Sequence, residues 1–260
     1  MRRKQGFALL IVLWLLVPLS VLFLTLSGVA RSDSRLTYNL RDAAALAAAA
    51  AGGIETAIFG LLSRGSSTAP LRLSLGGVSV AVRIESLSGL VNPNIAPPEL
   101  LRALLLRLGA EPPRADRLAS AIADWRAPGL QRRPNGAKTA DYRAAGLDYG
   151  PPGAPLESLG ELRQVLGMTE PIFAALQPNL TLFTDRPPDP ALAPPVVQAA
   201  LGDIGVRAAR AGERGDAFRI SAEATNPAGA RVVRQATIKL DASERGRGWR
   251  VLAWETAPTR

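Results

Sequence analysis

The sequence contains no cysteine and no histidine among its 260 residues. This absence excludes disulfides, thiol nucleophiles, zinc sites of the Cys/His type and catalytic triads that use histidine. There is also no glycine-rich loop of the kind that cradles phosphate groups. Catalysis would have to rest on carboxylates, Ser/Lys pairs or tyrosine, so the sequence argues against an enzyme. An exported protein remains compatible with these absences, because a core of this size does not need disulfides.

Lysine is scarce as well, and occurs only at Lys4, Lys138 and Lys239. Arginine carries most of the formal net charge of +9, which would favour nucleic acid or an anionic membrane as a partner. The arginines are scattered rather than clustered, and the chain is rich in Ala, Gly and Pro, which fits a bias towards GC-rich codons. The charge alone therefore predicts no nucleic-acid partner.

The N-terminal segment joins a basic cluster to a long apolar run. Arg2, Arg3 and Lys4 precede residues 7–30, which contain no charged side chain. At about 1.5 Å per residue, a helix of this length can cross a bilayer. The basic cluster predicts a cytoplasmic N-terminus, a single pass through a membrane and export of the rest of the chain.

Helical spacing continues past this run and predicts one long helix over residues 7–62. In its second half the spaced positions are Leu40, Ala44, Ala47, Ala51, Ile54 and Ile58. Gly52 and Gly53 are expected to weaken the helix there. Alternating apolar and polar residues then predict a β-hairpin with one buried face over residues 71–84.

Residues 90–180 return to a helical periodicity. Four helices are predicted to start at Pro97-Pro98, Pro112-Pro113, Ser158 and Thr169, the third of them with a capping box. Leu118 and Trp125 are expected in the core. A loop rich in glycine and proline, residues 127–155, separates the second helix from the third.

Alternating patterns near the C-terminus predict an antiparallel meander of three strands, with residues 185–195 as a linker before it. Because strands flank the helical block, we predict an α+β fold whose small antiparallel sheet is interrupted by an all-α insertion. The predicted boundaries are 1–6 for a leader, 7–30 for the transmembrane helix, 31–89 for its continuation and the hairpin, 90–183 for the insertion, and 184–260 for the linker and last strands.

Several stretches resemble a known family. A short basic leader that ends in glycine, followed by phenylalanine and an apolar helix, is similar to the N-terminus of type IV pilin-like proteins. "SLSGLVNPNIAPPELLRALL", with the signature Asn92, Asn94, Ala96 and Pro97, resembles the K-type minor pseudopilins (general secretion pathway protein K) of the type II secretion system. "AIADWR", "RPNGAKTADYRAAGL" and "LESLGELRQVLGMTEPIFAALQPNLTLF" match that family in the same order.

The resemblance implies a type IV pilin-like fold and a structural role at the tip of a periplasmic pseudopilus, which takes part in protein export across the outer membrane. It implies that a prepilin peptidase cuts after Gly6 and that the new amino group of Phe7 is methylated; the alternative is an uncleaved signal anchor. The implied partners are the minor pseudopilins of the I and J types, the major pseudopilin, the prepilin peptidase, the inner membrane and secreted substrates.

The fifth residue counted from Phe7 is Ile11. Pilin-like proteins generally carry a glutamate there, and the resemblance implies that this carboxylate pairs with the free amine of a neighbouring subunit. Ile11 offers no such partner, which implies that the protein initiates or caps the filament. The alternative is that Ile11 simply fits a membrane anchor.

Two sites within the helical block allow alternative interpretations. Asn92 and Asn94 are expected to cap the helix that follows and to fix its entry turn. The family resemblance suggests calcium at Asp124, Asp141 and Asp148, since oxygen-rich loops bind Ca²⁺. Few carboxylates are present, however, and Ala127 and Gly129 stand where acidic residues are common, so a loop held by arginine–carboxylate pairs and turns is the alternative.

A different function is suggested by "VNPNIAPPELLRALLLRLG", which also resembles the helix-hairpin-helix of membrane-tethered DNA receptors. There, backbone amides at the hairpin bind DNA phosphates. The turn after Leu108 is "GAEPP" rather than the Gly-x-Gly that such binding needs. No nucleic-acid partner is therefore expected.

Overall fold

The computed structural model describes residues 14–17, 19–20, 40–63, 68–206, 217–240 and 248–257. Of the long helix predicted over residues 7–62, the described parts are helical: residues 14–17 and 19–20, and then α1, Leu40–Ser63. The described helix reaches Ser63, one residue past the predicted end at residue 62. The rest of the predicted helix lies outside the described residues.

Five antiparallel strands form one sheet, and each strand pairs with the next along the chain. They are β1 (Leu71–Leu75), β2 (Val78–Ser86), β3 (Ala217–Thr225), β4 (Arg231–Leu240) and β5 (Trp249–Ala257). The predicted hairpin and meander are confirmed. The hairpin and the meander are joined by the pairing of β2 with β3, in which Val82 lies opposite Ala222. The helical insertion lies between these two strands in the sequence, and the sheet itself is continuous.

One face of the sheet is covered by α1. The buried side chains of α1 are Leu46, Ala49, Ala50, Ile54, Ala57, Ile58 and Leu61. Only Ile54 and Ile58 belong to the predicted stripe, whereas Leu40 and Ala44 are exposed, so this part of the prediction is wrong. In an alanine-rich helix nearly every face is apolar, and spacing alone does not select the one that meets the sheet.

Gly53 sets the distance between α1 and the sheet. A Cβ atom at this position would lie 2.8 Å from Cγ1 of Val80 and 3.1 Å from Cγ2 of Val82. Glycine lowers the intrinsic stability of a helix, as the sequence predicts, but here it permits a close approach that any side chain would prevent.

By length and composition, α1 is the one described helix that could cross a membrane, and 44% of its most apolar window is buried. That buried face packs against β2, β3 and β4. We therefore assign α1 to the core of the sheet domain. The predicted transmembrane segment, residues 7–30, lies mostly outside the described residues.

The insertion contains the helices α2 (Pro98–Arg107), α3 (Pro112–Arg126), α4 (Thr139–Ala144), α5 (Glu170–Leu176) and α6 (Pro195–Asp203), and 3₁₀ helices at Leu159–Gln164 and Gln177–Asn179. The four predicted helix starts are confirmed, although Ser158 begins a 3₁₀ helix rather than an α-helix. Leu118 and Trp125 are buried in the insertion core, as expected.

Two helices are not predicted from the sequence. α4 lies inside the predicted loop, and α6 follows the proline-rich stretch interpreted as a linker. Val197, Ala200 and Leu201 of α6 pack into the same core as α2 and α3. The insertion therefore extends beyond the predicted boundary at residue 183, because this short apolar stripe is buried against the helical block.

Candidate functional site

The signature asparagines form a partly buried turn that joins distant parts of the insertion. Asn92 Nδ2 donates to the carbonyl oxygen of Thr184 (2.5 Å), and its Oδ1 accepts from the N–H of Asn94 (2.8 Å). Asn94 Nδ2 donates to the carbonyl oxygen of Leu156 (2.9 Å), while its Oδ1 accepts from the Leu156 N–H (2.7 Å). The two side chains thus bind backbone groups on two separate segments.

These asparagines do not cap α2, so that prediction is wrong. Pro97 is the N-cap residue and no side chain bonds to the cap. Pro98 has no N–H, which removes one of the donors that a cap would satisfy. The predicted entry turn is present, because the N–H of Ala96 donates to the carbonyl oxygen of Asn92 (2.8 Å) and Ala96 itself is buried.

Arg126, at the end of α3, binds the same turn. Its Nη1 and Nη2 donate to the carbonyl oxygens of Pro93 (2.5 Å) and Ala96 (2.6 Å). Both acceptors are uncharged backbone groups. Burial, together with the nearby charge of Arg133, lowers the pKa of Arg126. This guanidinium therefore fixes the signature turn to α3.

The carboxylate of Asp124 is fully buried and is bound to Arg133 of the loop. Its Oδ1 accepts from Nη1 of Arg133 (2.8 Å), and its Oδ2 accepts from the Arg133 N–H (3.1 Å). The loop backbone passes directly over this carboxylate, since a Cβ atom on Gly136 would lie 2.0 Å from Oδ2. Asp124 is therefore neutralised by an arginine of the loop.

Asp141 and Asp148 do not share the hydrogen bonds of the Asp124 carboxylate. Asp141 accepts from the N–H of Lys138 (2.8 Å) and from Nη1 of Arg132 (2.8 Å). The bond from the Lys138 N–H is the main cause of a lowered pKa at Asp141. Asp148 is exposed. Within the part of the chain that the structure describes, no group of three or more His, Cys, Asp or Glu side chains could hold a metal ion.

The structure thus does not gather the three aspartates into the suggested calcium site. The alternative, a loop held by arginine–carboxylate pairs, is what the structure shows. Sequence reasoning did not single out Arg126, Arg133 or Lys138. The sequence feature that could have indicated these contacts is the basic run "RRPNGAK", which follows an acidic residue on an apolar helix.

Aromatic rings fill the space beneath this loop. Tyr142 is completely buried, with its ring centroid 6.0 Å from that of Trp125 and 5.8 Å from that of Tyr149. Its hydroxyl oxygen accepts from the N–H of Leu166 (2.9 Å). Burial raises the pKa of Tyr142 to about 12.

The geometry of the α2–α3 turn does not favour DNA binding. The N–H groups of Leu108, Gly109 and Ala110 donate to the carbonyl oxygens of Leu104, Leu106 and Leu105 within α2. Amides that are already bonded within the turn are not available to phosphates. Gly6, Phe7 and Ile11, the predicted processing and tip-defining residues, lie outside the described residues.

A long apolar helix packed on a small antiparallel sheet, with an all-α insertion between two adjacent strands, defines an α+β pilin-like protein. Residues 84–185 match the family described as Type II secretion system (T2SS), protein K. Residues 84–185 thus form a domain of the protein K family, and the resemblance of the helical block seen in the sequence is confirmed. Protein K is a structural pseudopilin family rather than an enzyme family.

One solved structure supports the fold over nearly the whole chain. It is the crystal structure of the GspK-GspI-GspJ complex from the type 2 secretion system of enterotoxigenic Escherichia coli. A chain in it matches with a TM-score of 0.63 and 17% identity, covering 88% of this chain and 99% of its own length. At this identity the likeness shows the fold alone. No curated relative matches the sequence.

Proposed function

We propose that the protein is a minor pseudopilin at the tip of the periplasmic pseudopilus of a type II secretion system, where it takes part in export across the outer membrane. The protein K match over residues 84–185 carries this proposal. The fold likeness to a chain from a GspK-GspI-GspJ complex supports minor pseudopilins of the I and J types as its partners.

Processing follows from the same assignment. A prepilin peptidase cuts between Gly6 and Phe7 and the new amino group is methylated, which leaves residues 7–30 in the inner membrane with the N-terminus on the cytoplasmic side. Mass spectrometry of the membrane form should find a methylated Phe7 at the N-terminus, and Gly6→Val should block cleavage. Recovery of an intact N-terminus from wild-type cells would contradict the proposal.

The tip position rests on Ile11. An unpaired charge in hydrocarbon costs at least ~2.5 kcal/mol, so the pairing of a fifth-residue glutamate with a neighbour's amine selects which subunit docks. Ile11 provides no carboxylate for a subunit above, whereas the amine of Phe7 can still bind a glutamate below. The protein then accepts a neighbour on one side only.

Because the chain contains no cysteine, single cysteines can report these contacts. Ala8→Cys should crosslink to a cysteine placed beside the fifth-residue glutamate of an I- or J-type pseudopilin. Val12→Cys, which lies beside Ile11, should not crosslink to the N-terminus of any partner. When Ile11→Glu is added to the Val12→Cys variant, a crosslink from Val12→Cys to a partner's N-terminus should appear. If Ala8→Cys and Val12→Cys crosslink to partners equally well while Ile11 is unchanged, the tip assignment is ruled out.

The insertion provides a second test. Ser86 pairs with Phe218 at the end of β2 and β3, so a short loop can close this hairpin after deletion of residues 90–206. We expect the sheet to fold and secretion to be lost, because the bulk of the insertion suits a filament end and not the shaft. Unchanged secretion and unchanged partner binding would contradict this role.

A further inference from the structure

Lys138 is a buried lysine whose ammonium lies against the end of α3. The residue is only 6% exposed. Its Nζ donates to the carbonyl oxygens of Asp124 (2.8 Å) and Ala127 (2.7 Å). Asp124 lies in the last turn of α3 and Ala127 is its C-cap residue. Backbone carbonyls at this end lack partners within the helix, and the helix dipole favours a positive charge.

Lys138 also begins the next helix. It is the N-cap residue of α4, and its N–H donates to Oδ2 of Asp141 (2.8 Å). One residue therefore connects the C-terminal end of α3 to the N-terminal end of α4 across the intervening loop. In oxygen-lined loops this connection is commonly supplied by a bound cation, which draws carbonyl and carboxylate oxygens together.

We propose that the ammonium of Lys138 takes the place of a metal ion as the cation that organises residues 127–138, so that the insertion folds without calcium. Ca²⁺ requires six to eight oxygen ligands. Around the end of α3 the carbonyl oxygens of Asp124 and Ala127 are bound to Lys138, and both carboxylate oxygens of Asp124 are bound to Arg133.

Charge opposes a second cation at this place as well. The Arg133 guanidinium, which also donates to the Ala123 carbonyl oxygen (3.3 Å), lies on the same carboxylate, and Arg126 is close enough for the charge of Arg133 to lower its pKa. With Lys138 on the backbone carbonyl of Asp124, three positive side chains lie around the end of α3, where Asp124 is the one buried carboxylate among the described residues. A divalent ion would have to displace at least one of them.

Binding by the intact wild-type chain is the first test. In detergent, titrated terbium should give no saturable emission sensitised by Trp125, and the melting temperature should be the same in calcium as in chelator. A saturable terbium signal that calcium displaces and Asp124→Asn abolishes would overturn the proposal. So would a rise in melting temperature with calcium that the same substitution removes.

The second test removes the ammonium. Lys138→Met keeps most of the side-chain volume but leaves two carbonyl oxygens unpaired, and should lower the melting temperature by roughly 5 °C. Lys239→Met is the control, because the side chain of Lys239 is also largely buried (15% exposed) but its ammonium binds an exposed carboxylate, that of Asp185 (2.8 Å), instead of buried carbonyl oxygens. A shift for Lys138→Met no larger than that of the control would contradict the role of Lys138.

A chemical rescue separates charge from volume. Since the chain lacks cysteine, Lys138→Cys can be alkylated at this position alone, in the unfolded state before refolding. 2-Bromoethylamine, which rebuilds a lysine-like ammonium, should restore most of the lost melting temperature. Iodoacetamide, which adds a neutral amide, should not, and equal rescue by both reagents would show that the cation is not needed.

Discussion

Asn94 and Leu156 are joined by two hydrogen bonds although they lie 62 positions apart in the chain. The side-chain amide of Asn94 both donates to the carbonyl oxygen and accepts from the N–H of Leu156, as a neighbouring backbone strand would. Leu156 itself is 3% exposed, so water cannot replace either partner. This clamp fixes the end of the loop over residues 127–155 to the signature turn.

Asn94→Ala should destabilise the insertion by about 2–3 kcal/mol, because it leaves a donor and an acceptor of buried Leu156 unpaired. Asn226→Ala in the β3–β4 turn is the control, since it loses one exposed bond from the N–H of Ala230. Chemical denaturation followed by tryptophan fluorescence measures both free energies of unfolding. Equal losses for the two variants would contradict the clamp.

The elements that could be predicted from the sequence are those specified by local patterns. Alternation along β2 places Val80 and Val82 on the buried face, and Pro98 and Pro112 start α2 and α3 where proline at a first helical position predicts. These signals depend only on residues a few positions apart. The elements that they predict are therefore present in the folded chain.

The functions of the polar side chains could not be predicted in the same way. Asn94 bonds to Leu156, and Lys138 bonds to carbonyls at the end of α3, across loops whose course the sequence does not specify. The face of α1 that meets the sheet was also missed, because it depends on the close approach at Gly53. Long-range geometry determines each of these contacts.

Two glycines of α1 should respond in opposite directions to the same substitution. Gly53→Ala forces a Cβ atom against Val80 and should destabilise the sheet domain by roughly 1–3 kcal/mol. Gly60→Ala meets no described atom within 4 Å and should stabilise the helix by about 0.5–1 kcal/mol. The melting temperatures of the two variants test this prediction. A higher melting temperature for Gly53→Ala than for the wild type would refute the close packing.

Arg126 should not be replaceable by lysine. Its two terminal nitrogens reach two carbonyl oxygens, at Pro93 and Ala96, whereas a lysine ammonium is a compact point charge without the planar fork. Arg126→Met should therefore destabilise the insertion most, Arg126→Lys somewhat less, and Arg143→Met, at an exposed position, hardly at all. Full stability in Arg126→Lys would show that the fork geometry is unimportant.

Tyr142 should make the insertion sensitive to alkali. Burial raises its pKa from 10.0 to about 12, so the folded state favours the neutral phenol. The associated stability, up to about 2–3 kcal/mol, is fully present below pH 10 and is lost as the pH rises through about 12. Absorbance at 295 nm should show one late tyrosine ionisation that coincides with unfolding and disappears in Tyr142→Phe. If Tyr142→Phe instead leaves the late step in place, burial of this phenol is not its cause.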